Sequence, residues 1–356
     1  YSTLNDAMIK LEEEGRYSFL WFKTLLEMEE LSKEESAADR KEITVAFGGV
    51  RKDEETDRTL ILRNSNRFIP QSIEELPELN LILKLSDGKS KEIKLEAANV
   101  KSYELHVKMK SAEEIDGIDL SLVEKATIRM LNPSFLLKEL KEEFCRLGFP
   151  DDYDMQANLP KDIKFIFGPP GTGKTTRLAE KTVKNFMERA GSGKRMLILA
   201  PTNKAADVIV RKILDNDYCC PHQNWLVRFG TTNDDVVERS GIYRNAEIEL
   251  DDFERVVLVT TIARFPYDSL KEGDYIRERK WDKIVIDEAS MVSLASVVYL
   301  LYKKRSSEFV IAGDPFQIKP IVAVEEWSEE NIYTLVGLES FDKKKTKYGH
   351  TVISLT

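Results

Sequence analysis

Cysteine and histidine are scarce in this chain, three of each among 356 residues, and the shortage narrows the chemistry at once. Thiols at Cys145, Cys219 and Cys220 are too few for a disulfide framework, so a reducing compartment fits. Cys219-Cys220-Pro221-His222 offers half of a zinc site, but no second ligand pair stands at finger spacing. Long apolar runs are missing as well. None approaches the roughly 18 residues of a membrane-crossing helix, and the Glu-rich N-terminus is unlike a secretory signal. The expectation is a soluble intracellular protein, cytoplasmic or nuclear, with no membrane partner. Positive charge is in deficit: 53 Lys and Arg against 62 Asp and Glu leave a net charge of −9. That balance excludes indiscriminate wrapping around a polyanion and leaves room for a local basic groove.

Against these absences stands Gly168-Pro169-Pro170-Gly171-Thr172-Gly173-Lys174-Thr175, which satisfies the phosphate-loop pattern G-x-x-x-x-G-K-[ST] at every required position. Glycines let the backbone wrap closely enough for its N–H groups to face phosphate oxygens. Lys174 would reach the terminal phosphates and Thr175 a Mg²⁺ ion, with Thr176 beside it. Ile163 to Phe167 reads as a buried strand entering the loop. After the loop, Leu178, Ala179, Thr182, Val183, Phe186 and Met187 share one helical stripe, so the loop feeds a helix N-terminus, where anions are stabilised.

Upstream, apolar residues recur at helical spacing from Leu4 to about Ser36, as two helices or one broken near Gly15. Short strands are expected at Ile43–Phe47, Thr59–Leu62, Leu81–Leu85, Glu92–Leu95 and Tyr103–Met109, with Asp87-Gly88 as a hairpin turn. They suggest a small antiparallel barrel or sandwich, with His106 on its polar face as a surface residue. Asn132-Pro133 starts a further helix and Gly148 ends it. From Lys161 onward strand and helix alternate, with apolar strands at Ile163–Phe167, Met196–Ala200, Val256–Thr260, Ile284–Ile286 and Phe309–Ala312. This is the rhythm of an α/β fold with a parallel sheet. The stretch from Asp215 to Glu254 breaks it and reads as an insertion.

Lys283 to Ile286 followed by Asp287-Glu288 has the form of a Walker B strand, delivering Asp287 toward Mg²⁺ and Glu288 toward an attacking water as general base. Gly313-Asp314-Pro315-Phe316-Gln317-Ile318-Lys319-Pro320 follows another buried strand. Gln317 there could report the presence of a γ-phosphate, and a plain connecting turn is the alternative.

In combination these motifs resemble the superfamily 1 helicases, and more narrowly the group of the nonsense-mediated-decay helicase. The matching runs are Gly168–Thr175, Ala200–Asp207, Val259–Thr261, Asp287–Ser290 and Gly313–Pro320, in the family's order and spacing over roughly Lys161 to Pro320. The resemblance implies a RecA-like ATPase, preceded by a small β-barrel on a helical stalk. It implies that Pro201, Thr202, Asn203, Thr260 and Thr261 line a channel for single-stranded RNA or DNA, and that ATP and Mg²⁺ are the cofactors. For the adenine contact of the family only Gln156 is available, at shorter spacing, and Lys319 stands where the family commonly has Pro.

The expected organisation is stalk helices over 1–40, a barrel over 41–110, stalk helices and linker over 111–155, and a motor over 156–356 with an insertion at about 215–254. Lys174, Glu288 and Gln317 are the expected catalytic residues. Gly168 to Thr176, Asp287, Asp314 and Gln156 would hold the nucleotide. The motif series stops after the third element, and the chain starts at Tyr1 without Met. A fragment is therefore expected, turning over ATP slowly until a second RecA-like domain supplies its arginine. A nucleotide-dependent switch or scaffold is the rival reading; a small-molecule kinase is a second, disfavoured by the Ala200–Asp207 run and Gln317.

Overall fold

The computed structural model describes residues 2–33, 42–63, 73, 79–101, 103–131, 133–189, 191–218, 220–245, 247–316, 324, 327–338, 340 and 342–355. Asn132, Cys219, Gln317, Ile318, Lys319 and Pro320 lie outside the described residues.

Gly48 alone separates β1 (Glu42–Phe47) from β2 (Gly49–Lys52), and that short link lets one sheet curl on itself. With β3 (Thr59–Arg63), β4 (Leu79–Leu85), β5 (Ser90–Lys101), β6 (Glu104–Met109) and β7 (Val123–Leu131) it forms an antiparallel sheet in the order β1-β7-β4-β5-β6-β3-β2. β5 pairs with β4 through its first half and with β6 through its second, the register shifting between Leu95 and Ala97. That bulge turns the corner. Gly88 takes φ +84 in the β4–β5 turn, the left-handed conformation a tight hairpin demands. Leu60, Leu62, Leu81, Leu83, Leu105, Val107 and Ile128 fill the inside.

Three expectations are corrected here. Residues 123–131, placed among stalk helices and linker, form β7, which pairs with β1 and β4. Ala126, Ile128 and Met130 are buried at period two, the strand signature. Tyr103 precedes β6 and is exposed instead of joining its inner face. The His106 side chain is only 13% exposed, its ring nitrogens facing Asp53 at 3.6 Å and Glu104 at 3.7 Å.

Helices α1 (Ser2–Glu14) and α2 (Phe19–Lys33) flank Gly15, and α3 (Pro133–Cys145) packs on α2. Phe19 and Phe22 meet Phe144 with ring centroids 5.5 Å apart in each case. This helical stalk joins the main core. Glu29 of α2 is buried, and its Oε1 accepts from the Val324 N–H at 2.8 Å and the Trp327 Nε1–H at 3.0 Å.

The second sheet is parallel throughout. Its strands are β8 (Ile163–Phe167), β9 (Arg195–Ala200), β10 (Leu226–Phe229), β11 (Tyr243–Arg244), β12 (Val256–Thr261), β15 (Lys283–Ile286), β16 (Glu308–Gly313) and β17 (Thr351–Ser354), with a small separate hairpin of β13 (Ser269–Lys271) and β14 (Asp274–Tyr275) between β12 and β15. They lie in the order β11-β10-β12-β9-β15-β16-β8-β17. One face is covered by α4 (Lys174–Arg177), a π-helical turn at 178–183, α5 (Lys184–Arg189) and α6 (Asn203–Leu214), which bury Leu178, Val183, Ile209 and Val210. α7 (Asp235–Arg239) lies at that side too. The other face carries α8 (Leu294–Lys303), α9 (Ile332–Val336) and the stalk. The fold is α/β, RecA-like, with the antiparallel barrel and stalk ahead of it. The expected insertion at 215–254 needs correction: it supplies β10 and β11, two strands of the sheet itself. Arg228 in the middle of four buried residues is what hid β10.

Candidate active site

Strands β8, β15 and β16 deliver their carboxyl ends side by side, so the phosphate loop, Asp287-Glu288 and Gly313-Asp314 converge at one edge. Gly168 begins the loop. Its N–H bonds the Gly313 carbonyl at 3.3 Å, and a Cβ there would lie 2.6 Å from the Leu355 carbonyl oxygen, so only glycine fits. Gly171 and Gly173 take φ +79 and +83, turning the chain into α4. Pro169 accepts the Thr172 hydroxyl at 2.7 Å, which braces the curve from inside.

Lys174 is buried, and its ammonium donates to the Gly168 carbonyl at 2.7 Å and the Pro169 carbonyl at 3.1 Å. The cation is thus held over the loop by two backbone carbonyls. Thr175 Oγ1 donates to Asp287 Oδ2 at 3.0 Å, while Asp287 Oδ1 accepts the Glu288 N–H at 3.0 Å. A hydroxyl and a buried carboxylate side by side are hard oxygen donors of the kind Mg²⁺ takes. Burial first, and the Glu288 charge second, push the Asp287 carboxyl up to about 6; the Thr175 bond and Lys174 pull the other way. A carboxylate kept dry beside another needs a cation or a proton, so this residue set suits a nucleotide–metal complex.

Glu288 sits at φ +47, one of two non-glycine residues with positive φ among those described. Such backbone costs on the order of 1 kcal/mol and is kept where a side chain must be aimed. Among the described residues its Oε2 is buried with no hydrogen-bond partner. Asp314 is buried, with Oδ1 capping the Phe316 N–H at 2.9 Å. Gln156 does not extend freely: its Nε2 donates to the Leu335 carbonyl at 2.8 Å.

The residues expected along a strand channel are adjacent, since Thr260 and Thr261 of β12 stand opposite Leu199 and Ala200 of β9, just before Pro201. Their exposure differs. Pro201 and Thr202 are partly open, Thr202 capping α6 by accepting the Ala205 N–H at 3.1 Å. Asn203, Thr260 and Thr261 are buried. Asn203 Oδ1 accepts from Arg228 Nη2 at 3.0 Å, and Arg228 is fully buried.

Two residues at the site belong to no sequence motif, Arg228 and Tyr333. Arg228 sat in a stretch without helical or strand rhythm. Tyr333 lies 20 residues beyond Gly313, in a segment no motif covers.

Residues 154–323 match the family described as AAA domain. The chain is 26% identical over 168 residues to RNA helicase Mov10l1 of Mus musculus, covering 44% of this chain and 13% of that protein. It is 26% identical over 162 residues to the DNA replication ATP-dependent helicase/nuclease DNA2 of Saccharomyces cerevisiae, covering 46% and 10%. The chain therefore spans only a small part of these curated relatives. A solved structure titled arterivirus nonstructural protein 10 (helicase) aligns with TM-score 0.35 and 13% identity, covering 83% of this chain and 51% of that one. The sequence matches and the ordered motifs agree: the chain is similar to the superfamily 1 helicases, in the group that resembles the nonsense-mediated-decay helicase.

Proposed function

We propose that this chain binds ATP with Mg²⁺ and forms the first half of a motor that moves along single-stranded RNA or DNA. The contact that carries the reading is Thr175 to Asp287, 3.0 Å across the gap between phosphate loop and strand end. Lys174 exchanges its two loop carbonyls for phosphate oxygens. Thr175 and Asp287 hold the metal, which when bound neutralises charge on the phosphates. Gly168 to Thr176 cradle the phosphates, Asp314 holds the turn beside them, and Gln156 approaches the base. Glu288 accepts the proton of the attacking water, and Gln317 reports the γ-phosphate to the rest of the motor.

Pro201, Thr202, Asn203, Thr260 and Thr261 form the wall for the polymer. Hydroxyl and amide groups there grip phosphate without reading bases. Partly open Thr202 makes first contact, and the buried threonines come into play as the channel forms. Efficient turnover needs a second RecA-like domain to donate an arginine, which contributes on the order of 10³-fold or more where such fingers act.

The test is the ATPase rate of the full-length protein with no polymer, with single-stranded DNA and with single-stranded RNA. Stimulation by a strand is expected. Its absence with both polymers favours a nucleotide-dependent switch. Lys174→Ala should lose ATP binding, whereas Glu288→Gln should bind ATP and fail to hydrolyse it; undiminished turnover in the second variant removes Glu288 as the base.

A further inference from the structure

Tyr333 places a phenol at the centre of this site that no motif accounts for. The residue is fully buried, yet among the described residues its hydroxyl has no hydrogen-bond partner. An unpaired buried hydroxyl is destabilising, so its persistence asks for a use. Its position is well defined. A Cβ on Gly313 would fall 2.5 Å from the Tyr333 oxygen and 3.1 Å from the Ala289 nitrogen, so the hydroxyl fills the space over Gly313, against the turn that carries Glu288. The Gly313 carbonyl in turn bonds the first N–H of the phosphate loop.

The ring is held firmly. It lies 6.0 Å from the Phe165 ring and 5.9 Å from that of Phe167, both on β8. Its helix α9 begins in a capping box of Asn331 and Thr334 and ends at Gly337 in the left-handed conformation. A rigid ring offers a fixed donor. A second unpartnered buried atom, Glu288 Oε2, belongs to the neighbouring turn. One orphan can donate and the other, as a carboxylate, only accepts.

We propose that Tyr333 positions the attacking water together with Glu288: the phenol O–H donates to the water oxygen while Glu288 accepts the water's proton. One oxygen lone pair is thereby occupied and the other is left to attack the γ-phosphorus. The new P–O bond forms as the bond to the β-phosphate oxygen breaks, ADP leaves, and the proton passes to Glu288. Tyr333 stays protonated throughout. Burial, followed by the charges of Asp287, Glu288 and Asp314, holds its pKa well above the ordinary value, which keeps it a donor at all working pH.

The inference rests on the ATP-hydrolysis reading of the site, and the experiment separates the two. In the full-length protein, Tyr333→Phe removes only the oxygen and keeps the ring. Strand-stimulated kcat should fall on the order of 10- to 100-fold, the range expected when a reacting group loses its orientation. Affinity for ADP with aluminium fluoride, which mimics the transition state with its in-line water, should fall about as much. Affinity for ADP with beryllium fluoride, a ground-state mimic, should change less than about twofold, and Tm should hold or rise because an unpaired hydroxyl is gone. Wild-type turnover in Tyr333→Phe, with Glu288→Gln inactive, overturns the inference and leaves the site reading intact. Equal loss for both analogues, or a lowered Tm, makes Tyr333 a structural residue and also overturns it. A wild-type protein that neither binds nor hydrolyses ATP overturns the reading beneath it.

Discussion

Asp207 and Arg228 form an ion pair inside the protein, with Arg228 Nε donating to Asp207 Oδ1 at 2.7 Å. The guanidinium is entirely enclosed, and it also donates to the carbonyls of Phe229 and Thr231, each at 2.6 Å, and to Asn203 Oδ1 at 3.0 Å. Burial raises the Asp207 carboxyl, and the Arg228 charge with the Thr232 hydroxyl pulls it back down. Asn203 and Asp207 both belong to α6, so β10 holds the helix that presents Thr202.

Removing one partner strands the other charge in the interior. Arg228→Ala should destabilise by about 3–5 kcal/mol, and Asp207→Asn by a similar amount, measured by chemical denaturation. Arg228→Lys keeps charge but loses the fork and should fold with weakened strand affinity and unchanged ATP affinity. Equal polymer binding by wild type and Arg228→Lys would contradict this link from β10 to the channel.

Gly313→Ala should cost about 1–3 kcal/mol, because the new methyl meets the Tyr333 oxygen at 2.5 Å and the Ala289 backbone at 3.1 Å. Tyr333→Phe in the same chain should recover part of the loss, since one of the two obstructions is gone. Thermal melts of the four proteins give the coupling directly. Strict additivity would show that the two positions do not touch.

His350 predicts a pH dependence. Its Nε2 faces the Pro160 carbonyl at 3.0 Å and its Nδ1 the Thr346 hydroxyl at 3.0 Å, an arrangement met by one neutral tautomer. Burial lowers its pKa below 6.5, with the Pro160 bond acting the opposite way. The unfolded chain then binds the proton first. Stability should be complete above pH about 6.5 and fall by at most about 1.4 kcal/mol per pH unit toward the lowered folded value. His350→Gln should flatten that part of the stability profile. An identical profile in both proteins would remove His350 as its source.

Glu29→Ala leaves the Val324 N–H and the Trp327 indole N–H without their shared buried acceptor, whereas Glu29→Gln can keep an oxygen there. A loss of about 1–3 kcal/mol is expected for alanine and clearly less for glutamine. Urea midpoints of the two variants decide it; matched losses would mean that the charge, and not the acceptor, is what counts.

The phosphate loop and the strands of the sheet centre were legible because their physics is local: apolar runs for strands covered on both faces, and glycines where φ must be positive. β10 was not, since its third residue is a charge whose partner, Asp207, is 21 positions away. Periodicity over a short window cannot see a pair made across the fold. β7 was missed although Ala126, Ile128 and Met130 alternate, because Lys125, Thr127 and Arg129 suit a solvated helix face as well as an outward strand face. Tyr333 carried no signal in sequence; only the small space over Gly313 gives its hydroxyl meaning.

Among the described residues the barrel is held at two places of opposite character. The stalk helices α2 and α3 lead into and out of it and are locked to each other by apolar packing, Phe19 and Phe22 against Phe144. The other attachment is ionic: Glu238 of α7 takes Arg58 of the barrel at 3.1 Å and also Lys108, and Asn233 donates to the Ala98 carbonyl at 2.9 Å. Salt screens partly exposed charges over roughly 8–10 Å and hardly touches apolar packing. Raising ionic strength should therefore loosen the barrel from α7 while the stalk stays closed. Paired spin labels on the barrel and α7 would follow that distance from low to high salt, and no change in it would mean that the apolar packing of the stalk alone sets the barrel's place.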